Sequence, residues 1–270
     1  MSLPGDDPAA GLRGRPGPQA VSLVVPLRNE EVRLGPFIRA VEGCIGQPLS
    51  SHHVLAEVVL VDDGSTDRTA ALLGEMAGRT GWAVVEASKS SRGKGDAIAR
   101  GTSVASSPLV LFSDVDLAAP LSETSKLAAA LDGGATIAIG SRDVSGSTVT
   151  APASRKVVGR AFNAFVRATT GLAVRDTQCG FKLMPVDVAQ TLLASLLAPG
   201  LAFDVELLLR AKAAGYSVVE VPIVYRHGDD SRVRPVVHAA GMGRDVLRLS
   251  YHLRLVPALR RRRADAKAAT

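Results

Sequence analysis

Short apolar runs alternate along this chain with segments in which apolar residues recur every three or four positions. Runs at 21–26, 54–61, 82–86, 109–112, 135–140 and 218–224 have the length and composition of buried strands. Helical spacing fills about 30–42, 121–131, 155–170, 186–197 and 203–214, and two further helices end near Ala77 and Gly101. This alternation predicts an α/β fold, a mostly parallel central sheet flanked by helices. Polar residues collect just after the strand ends, where an open α/β sheet holds its ligands.

The pattern weakens at both ends. Residues 1–20 are rich in Gly and Pro and lack an apolar core, so they read as a disordered leader rather than a signal or anchor. Residues 21–235 form the expected domain. Residues 236–270 are basic and partly apolar, an amphipathic segment suited to a membrane surface, interrupted at Pro257. Between 254 and 270 six Arg or Lys accompany one Asp, so this tail holds +5 of a formal net charge of +6. Its cations are not interleaved with aromatics, and aromatics are 4% of the chain, which leaves no nucleic-acid partner. No run reaches the roughly 18 apolar residues of a spanning helix. Two cysteines, Cys44 and Cys179, make no disulfide framework and point to a reducing, cytoplasmic setting.

Candidate chemistry starts where the run at 109–112 meets Ser113-Asp114-Val115-Asp116. Residues i and i+2 of an extended chain face one side, so Asp114 and Asp116 emerge together. Two hard oxygen ligands suit Mg²⁺ or Mn²⁺, which bind through one or two carboxylates plus substrate phosphates. The same pair also fits a solvated turn. Asp62 and Asp63 end an earlier strand, where a carboxylate can accept from a base N–H or a ribose hydroxyl, or simply shape the turn at Gly64. Glu30 and Glu31 begin a helix, where the dipole favours anions; Glu30 could also touch a nucleotide. Glycines beside Arg92 and Lys94 at a helix start can let backbone approach phosphate. The Walker spacing is missing, and so is a dinucleotide fingerprint after the first strand. Arg142, Arg155 and Lys156 cluster after the acidic pair, as an anion site or a solvated face. Asp204 and Glu206 read as helix caps or as acids at the site mouth. Cys179 has no histidine nearby in sequence and reads as a packed small residue.

The stretches VVPLRNEE at 24–31, VVLVDDGSTD at 58–67, SRGKGDAIARG at 91–101, SDVD at 113–116, RDTQCGFKL at 175–183 and AFDVELLLRA at 202–211 resemble family 2 glycosyltransferases of the GT-A fold. Within that family they are most similar to the dolichyl-phosphate (polyprenyl-phosphate) β-glucosyltransferases. The resemblance implies a nucleotide-sugar donor, such as UDP-glucose, bound by Pro26, Arg28, Glu30, Asp62 and Asp63, with Arg92 and Lys94 near the nucleotide. It implies Asp114 and Asp116 as ligands of Mg²⁺ or Mn²⁺ and of the diphosphate. In a related branch a glutamine two residues further on adds a metal ligand; here Ala118 stands there. Arg142, Arg155, Lys156, Ser231 and Arg232 would hold an acceptor phosphate or the donor diphosphate, and Asp176 and Gln178 would face the sugar.

The implied reaction is inverting transfer of a sugar to a polyprenyl or dolichyl phosphate, at the cytoplasmic face of a membrane reached through the C-terminal segment. A soluble acceptor on the same fold is the alternative, with Asp176 as the base if the nucleophile is a hydroxyl. A non-catalytic nucleotide-sugar-binding protein is the third reading.

Overall fold

The computed structural model describes residues 19–227 and 235–255. Its elements are β1 (Gln19–Leu27), α1 (Glu31–Glu42), β2 (Pro48–Ser50), β3 (His53–Asp63), α2 (Thr69–Ala77), β4 (Ala83–Ser88), α3 (Lys94–Val104) and β5 (Leu109–Phe112). A 3-10 turn (Leu121–Glu123) then leads into α4 (Thr124–Asp132), β6 (Ile137–Ser141), β7 (Thr148–Thr150) and α5 (Ala153–Thr170). The chain continues through β8 (Lys182–Pro185), α6 (Val186–Leu193), α7 (Phe203–Ala214), β9 (Val218–Pro222), β10 (Val224–Arg226) and α8 (Pro235–Leu249), ending in a π-helical turn (Ser250–Leu255).

Eight strands form one sheet in the order β2-β3-β1-β5-β8-β6-β9, with β4 beside the later part of β3. The strands are parallel except β2 and β8. β1, β3 and β5 are buried on both faces, so their alternate residues feed two cores. Leu23, Val25, Leu60 and Leu111 pack toward α1, α2 and α4. Val24, Val59, Val110 and Phe112 pack toward α3, α6 and α7. This two-sided burial is why the strands read as continuous apolar runs.

Several expectations need correction. The strand expected at 218–224 is divided at Ile223 into β9 and β10. β10 leaves the main sheet and pairs with β7, a strand at Thr148–Thr150 where the apolar pattern predicts none. The leader expected to reach residue 20 gives way to β1 at Gln19, and its remainder lies outside the described residues. The helix expected at 186–197 stops at Leu193 because α7 caps it. Glu206 accepts from Leu197 N and Ala198 N, Arg210 donates to the carbonyls of Ala194 and Ser195, and Ser195 adopts a left-handed φ of 52°. Asp204 and Glu206 are thus interior groups, at most 3% exposed, and not acids at a site mouth.

β8 was not visible in the apolar pattern, and it positions the site. Being antiparallel, it begins beside the end of β5, with Lys182 opposite Phe112. The loop at 176–181 is thereby delivered to the rim where β1, β3, β5 and β6 end.

Candidate active site

The first wall of the site joins the ends of β1 and β3. Asn29 takes a left-handed φ of 57° and accepts from Thr66 N at 2.7 Å, while its own N–H donates to Ser65 Oγ at 2.9 Å. Glu30 N donates to Thr69 Oγ1 at 2.7 Å, and the Glu30 carboxylate pairs with Arg33 at 2.8 Å. Asp62 accepts from the backbone and hydroxyl of Ser65. Asp63, 4% exposed, accepts from Ser91 Oγ (2.7 Å), Arg92 N (2.9 Å) and Gly93 N (3.1 Å). Both aspartates therefore organise loops through their carboxylates. Pro26 is half-buried and Arg28 exposed on the same rim.

The start of α3 differs from the phosphate cradle expected of it. Arg92 N and Gly93 N are spent on Asp63, and Gly95 N and Asp96 N donate to the carbonyl of Pro199. A Cβ on Gly95 would lie 2.4 Å from Phe203 Cβ, so this glycine serves close packing. What α3 offers the site is its side chains. Arg92 is exposed and lies 3.4 Å from Asp96, while Lys94 points inward. Arg100, which the sequence reading passed over, links Asp96 (3.1 Å), Glu86 (3.5 Å) and Asp63 (3.5 Å).

Beyond β5, Asp114 and Asp116 line one pocket with Ser113, Gly180, Phe181 and Tyr225. The turn closes with Leu117 at a φ of 47°, its N–H on the carbonyl of Asp114. Asp116 accepts from Ala118 N at 3.1 Å. Burial and the neighbouring Asp114 raise the pKa of Asp116. Burial also opposes ionisation of Asp114, but Lys94 at 2.6 Å outweighs it and lowers that carboxyl.

Behind Tyr225, which lines the pocket, stands an ion pair. Asp176 is 1% exposed. Its Oδ2 accepts from Arg142 N (2.9 Å) and Nε (2.7 Å), and its Oδ1 accepts from Nη2 (2.8 Å). Burial acts against the carboxylate, yet Arg142 holds its pKa below the usual range. The arginine also sits over the Tyr225 ring, 5.0 Å from its centroid. Both oxygens of Asp176 are engaged, so it does not fit the expected role of base for a hydroxyl acceptor. Arg142 and Asp176 act as one unit.

Beneath this pair Lys182, fully buried, donates to Asp204 Oδ1 at 2.5 Å and to the carbonyl of Cys179. Cys179 is 1% exposed, and burial and then Asp176 push its thiol up to about 11, which fits a packing role. Gln178 is half-buried, and its amide nitrogen has no hydrogen-bond partner among the described residues. Lys156 reaches the carbonyl of Val149 at 2.9 Å, Arg155 sits beside it in the first turn of α5, and Ser231 and Arg232 lie outside the described residues. Tyr225, Lys182 and Arg100 are the additions to the predicted set. The signal for Tyr225 was its place at a strand end; Lys182 had none, because a lysine interrupts an apolar run.

The sequence profile of Glycosyl transferase family 2 matches residues 22–193. Dolichyl-phosphate beta-glucosyltransferase of Drosophila melanogaster is 33% identical over 239 residues, covering 84% of this chain and 73% of the relative. Polyprenol monophosphomannose synthase of Mycolicibacterium smegmatis is 32% identical over 245 residues, covering 83% and 85%. Glycosyltransferase AglD of Haloferax volcanii is 28% identical over 90% of this chain, which spans 39% of AglD. Among solved structures, glucosyl-3-phosphoglycerate synthase from Mycobacterium tuberculosis, in complex with Mn²⁺, UDP and glucosyl-3-phosphoglycerate, superposes with a TM-score of 0.61 at 22% identity, covering 87% of this chain and 80% of that one. That likeness is one of fold. With the acidic pair at the end of β5 and the profile spanning both halves of the sheet, the chain belongs to glycosyl transferase family 2.

Proposed function

We propose that this chain transfers glucose, with inversion, from UDP-glucose to a polyprenyl or dolichyl phosphate. The observation that carries the reading is the charge arrangement of the pocket. A pair of carboxylates suited to a metal lines the pocket, and behind its Tyr225 wall stands Arg142, with Nε and Nη2 on Asp176 and Nη1 outside that pair. A phosphate acceptor suits such a site. Its second pKa is about 6, so it arrives ionised and needs a cation to hold it rather than a base to activate it. The names of the relatives support the lipid phosphate and the glucosyl donor.

Asp114 and Asp116 fit Mg²⁺ or Mn²⁺. They are hard oxygen donors sharing one pocket, where burial and then the neighbouring Asp114 raise the pKa of Asp116. No cluster of three or more metal-ligating side chains occurs among the described residues, so donor phosphate and water would complete the shell. When bound, the ion supplies positive charge to the leaving diphosphate. The chain's own residues bind and orient. Arg142, fixed by Asp176 and Tyr225, would hold the acceptor phosphate or the donor diphosphate. Pro26, Arg28, Glu30 and the loops shaped by Asp62 and Asp63 would receive the nucleotide, with Arg92 near it. Gln178 would offer its unpartnered amide to the sugar, and Arg155, Lys156, Ser231 and Arg232 would extend the anion site.

We place the protein at the cytoplasmic face of a membrane, as a peripheral enzyme. No helix of the described residues is long and apolar enough to cross a bilayer. α8 buries Val246 and Leu249, while Leu247 and Tyr251 are 54% and 55% exposed near the exposed Arg244 and Arg248. That outer face, apolar and cationic, suits an anionic lipid surface.

The test is transfer of radiolabelled sugar into the organic phase. Polyprenyl phosphate and Mg²⁺ or Mn²⁺ are supplied with UDP-glucose, GDP-mannose or UDP-N-acetylglucosamine. Label from UDP-glucose alone, reduced at least about 10²-fold in Asp116→Ala, is the expected result. Donor consumed only with soluble acceptors would move the assignment to the alternative acceptor class.

A further inference from the structure

We infer that Lys94 is the resident counter-ion of Asp114, and that a divalent metal enters this site together with the nucleoside diphosphate and not ahead of it. The inference rests on the reading of Asp114 and Asp116 as the metal pair and goes on to say how that pair is governed.

Lys94 Nζ lies 2.6 Å from Asp114 Oδ1. The lysine is the first residue of α3, and its backbone is pinned on both sides, by Gly93 N on Asp63 and by Gly95 N on Pro199. Gly180 backs the pair: a Cβ there would fall 2.8 Å from Asp114 Oδ2 and 3.2 Å from Lys94 Nζ. Asp114 remains 44% exposed toward the pocket but has one oxygen held by its own cation, whereas Asp116 accepts from a neutral N–H. Two bare carboxylates would present a charge of −2 to a divalent ion. With Lys94 in place the pair presents −1, and one oxygen is already engaged.

Lys94 is the cation at the pair itself, because Arg142 and Lys182, which also act on Asp114 through space, are each held by a carboxylate of their own, Asp176 and Asp204. An incoming diphosphate offers Lys94 a second anion, and its oxygens supply ligands that the protein does not. Once Lys94 is shared with the phosphate, Asp114 regains an oxygen for the metal. Metal and nucleotide then strengthen each other's binding by the same factor, as linkage requires.

The experiment measures Mn²⁺ binding directly by electron paramagnetic resonance on the full chain, with and without UDP and without any turnover. In the wild type, UDP tightens Mn²⁺ binding at least about tenfold. In Lys94→Met, which keeps the aliphatic stem, Mn²⁺ alone binds about tenfold more tightly than to the wild type, and the UDP effect shrinks. Lys94→Gln serves as the second variant, and thermal melting checks that each is folded. Asp116→Ala must abolish the signal, which locates it. Equal Mn²⁺ affinity in wild type and both folded variants without UDP, or weaker affinity in the variants, overturns the inference while leaving the metal pair intact. Absence of Mn²⁺ binding in every protein, with UDP present, removes the metal pair itself and the inference with it.

Discussion

Gly180 shows how tightly single residues are constrained here. It is neither charged nor reactive, yet its missing side chain is what lets Asp114 and Lys94 meet over the 176–181 loop. In Gly180→Ala the methyl group would displace the ends of two side chains and no backbone. The expected result is a folded protein, with an unchanged melting temperature, whose kcat falls about 10²-fold, the usual cost of an ångström of misplacement at a reacting centre. Asp63 makes a related point. Its carboxylate serves Ser91, Arg92 and Gly93 at once. Asp63→Ala strands two backbone donors and one hydroxyl, and chemical denaturation should show a loss of about 1–3 kcal/mol for each donor left dry. Both residues were visible in sequence as members of motifs. Their partners were not, because Asp63 and Ser91 are 28 positions apart and nothing in either one announces the other.

At the scale of elements, β8 is the part that periodicity could not reveal. Four residues long and antiparallel, it opens with a fully buried lysine. Lys182 is held there by Asp204 of α7, so one ion pair ties β8, the 176–181 loop and α7 together. Lys182→Met leaves Asp204 buried without a cation and should cost about 3–5 kcal/mol in urea unfolding. Adding Asp204→Asn removes the stranded charge and should recover about half or more of that loss. The opposite end of β3 carries a pH-sensitive contact. His53 is 2% exposed, hydrogen-bonded to Ser50 at 2.9 Å and lies 3.9 Å from Asp132 at the end of α4. Burial lowers its pKa, Asp132 opposes this and His52 adds to it. The unfolded chain therefore takes up a proton near pH 6.5 that the folded chain still refuses. Stability from this group is complete above pH 6.5 and is lost as pH falls through 6.5 toward the lowered folded value. Between pH 7 and 5 the urea midpoint should fall less in His53→Gln than in the wild type.

Taken whole, the molecule places its charges unevenly. The acids at the rim where β1, β3 and β5 end have cations beside them, among them Arg33, Lys94 and Arg100, whereas Arg244 and Arg248 of α8 are exposed and the sequence beyond it is basic. On the proposed membrane reading, the protein should float with vesicles containing anionic lipid at low salt, and less as salt rises. Leu247→Asp with Tyr251→Asp should leave it at the bottom of the gradient with its melting temperature unchanged, since both side chains are exposed. The strands β1, β3, β4, β5 and β6 and the place of Asp114 and Asp116 after β5 could be read from the chain, because apolar periodicity and strand ends are local properties. The family could be read too, because its motifs are contiguous. Only the folded structure decided which carboxylates remain open to a ligand. Asp63, Asp176 and Asp204 look in sequence like Asp116, yet each is consumed by partners between 22 and 34 positions away. That outcome belongs to topology: strand crossovers bring distant cations and N–H groups to one rim, and a carboxylate's chemistry is set by what stands beside it there.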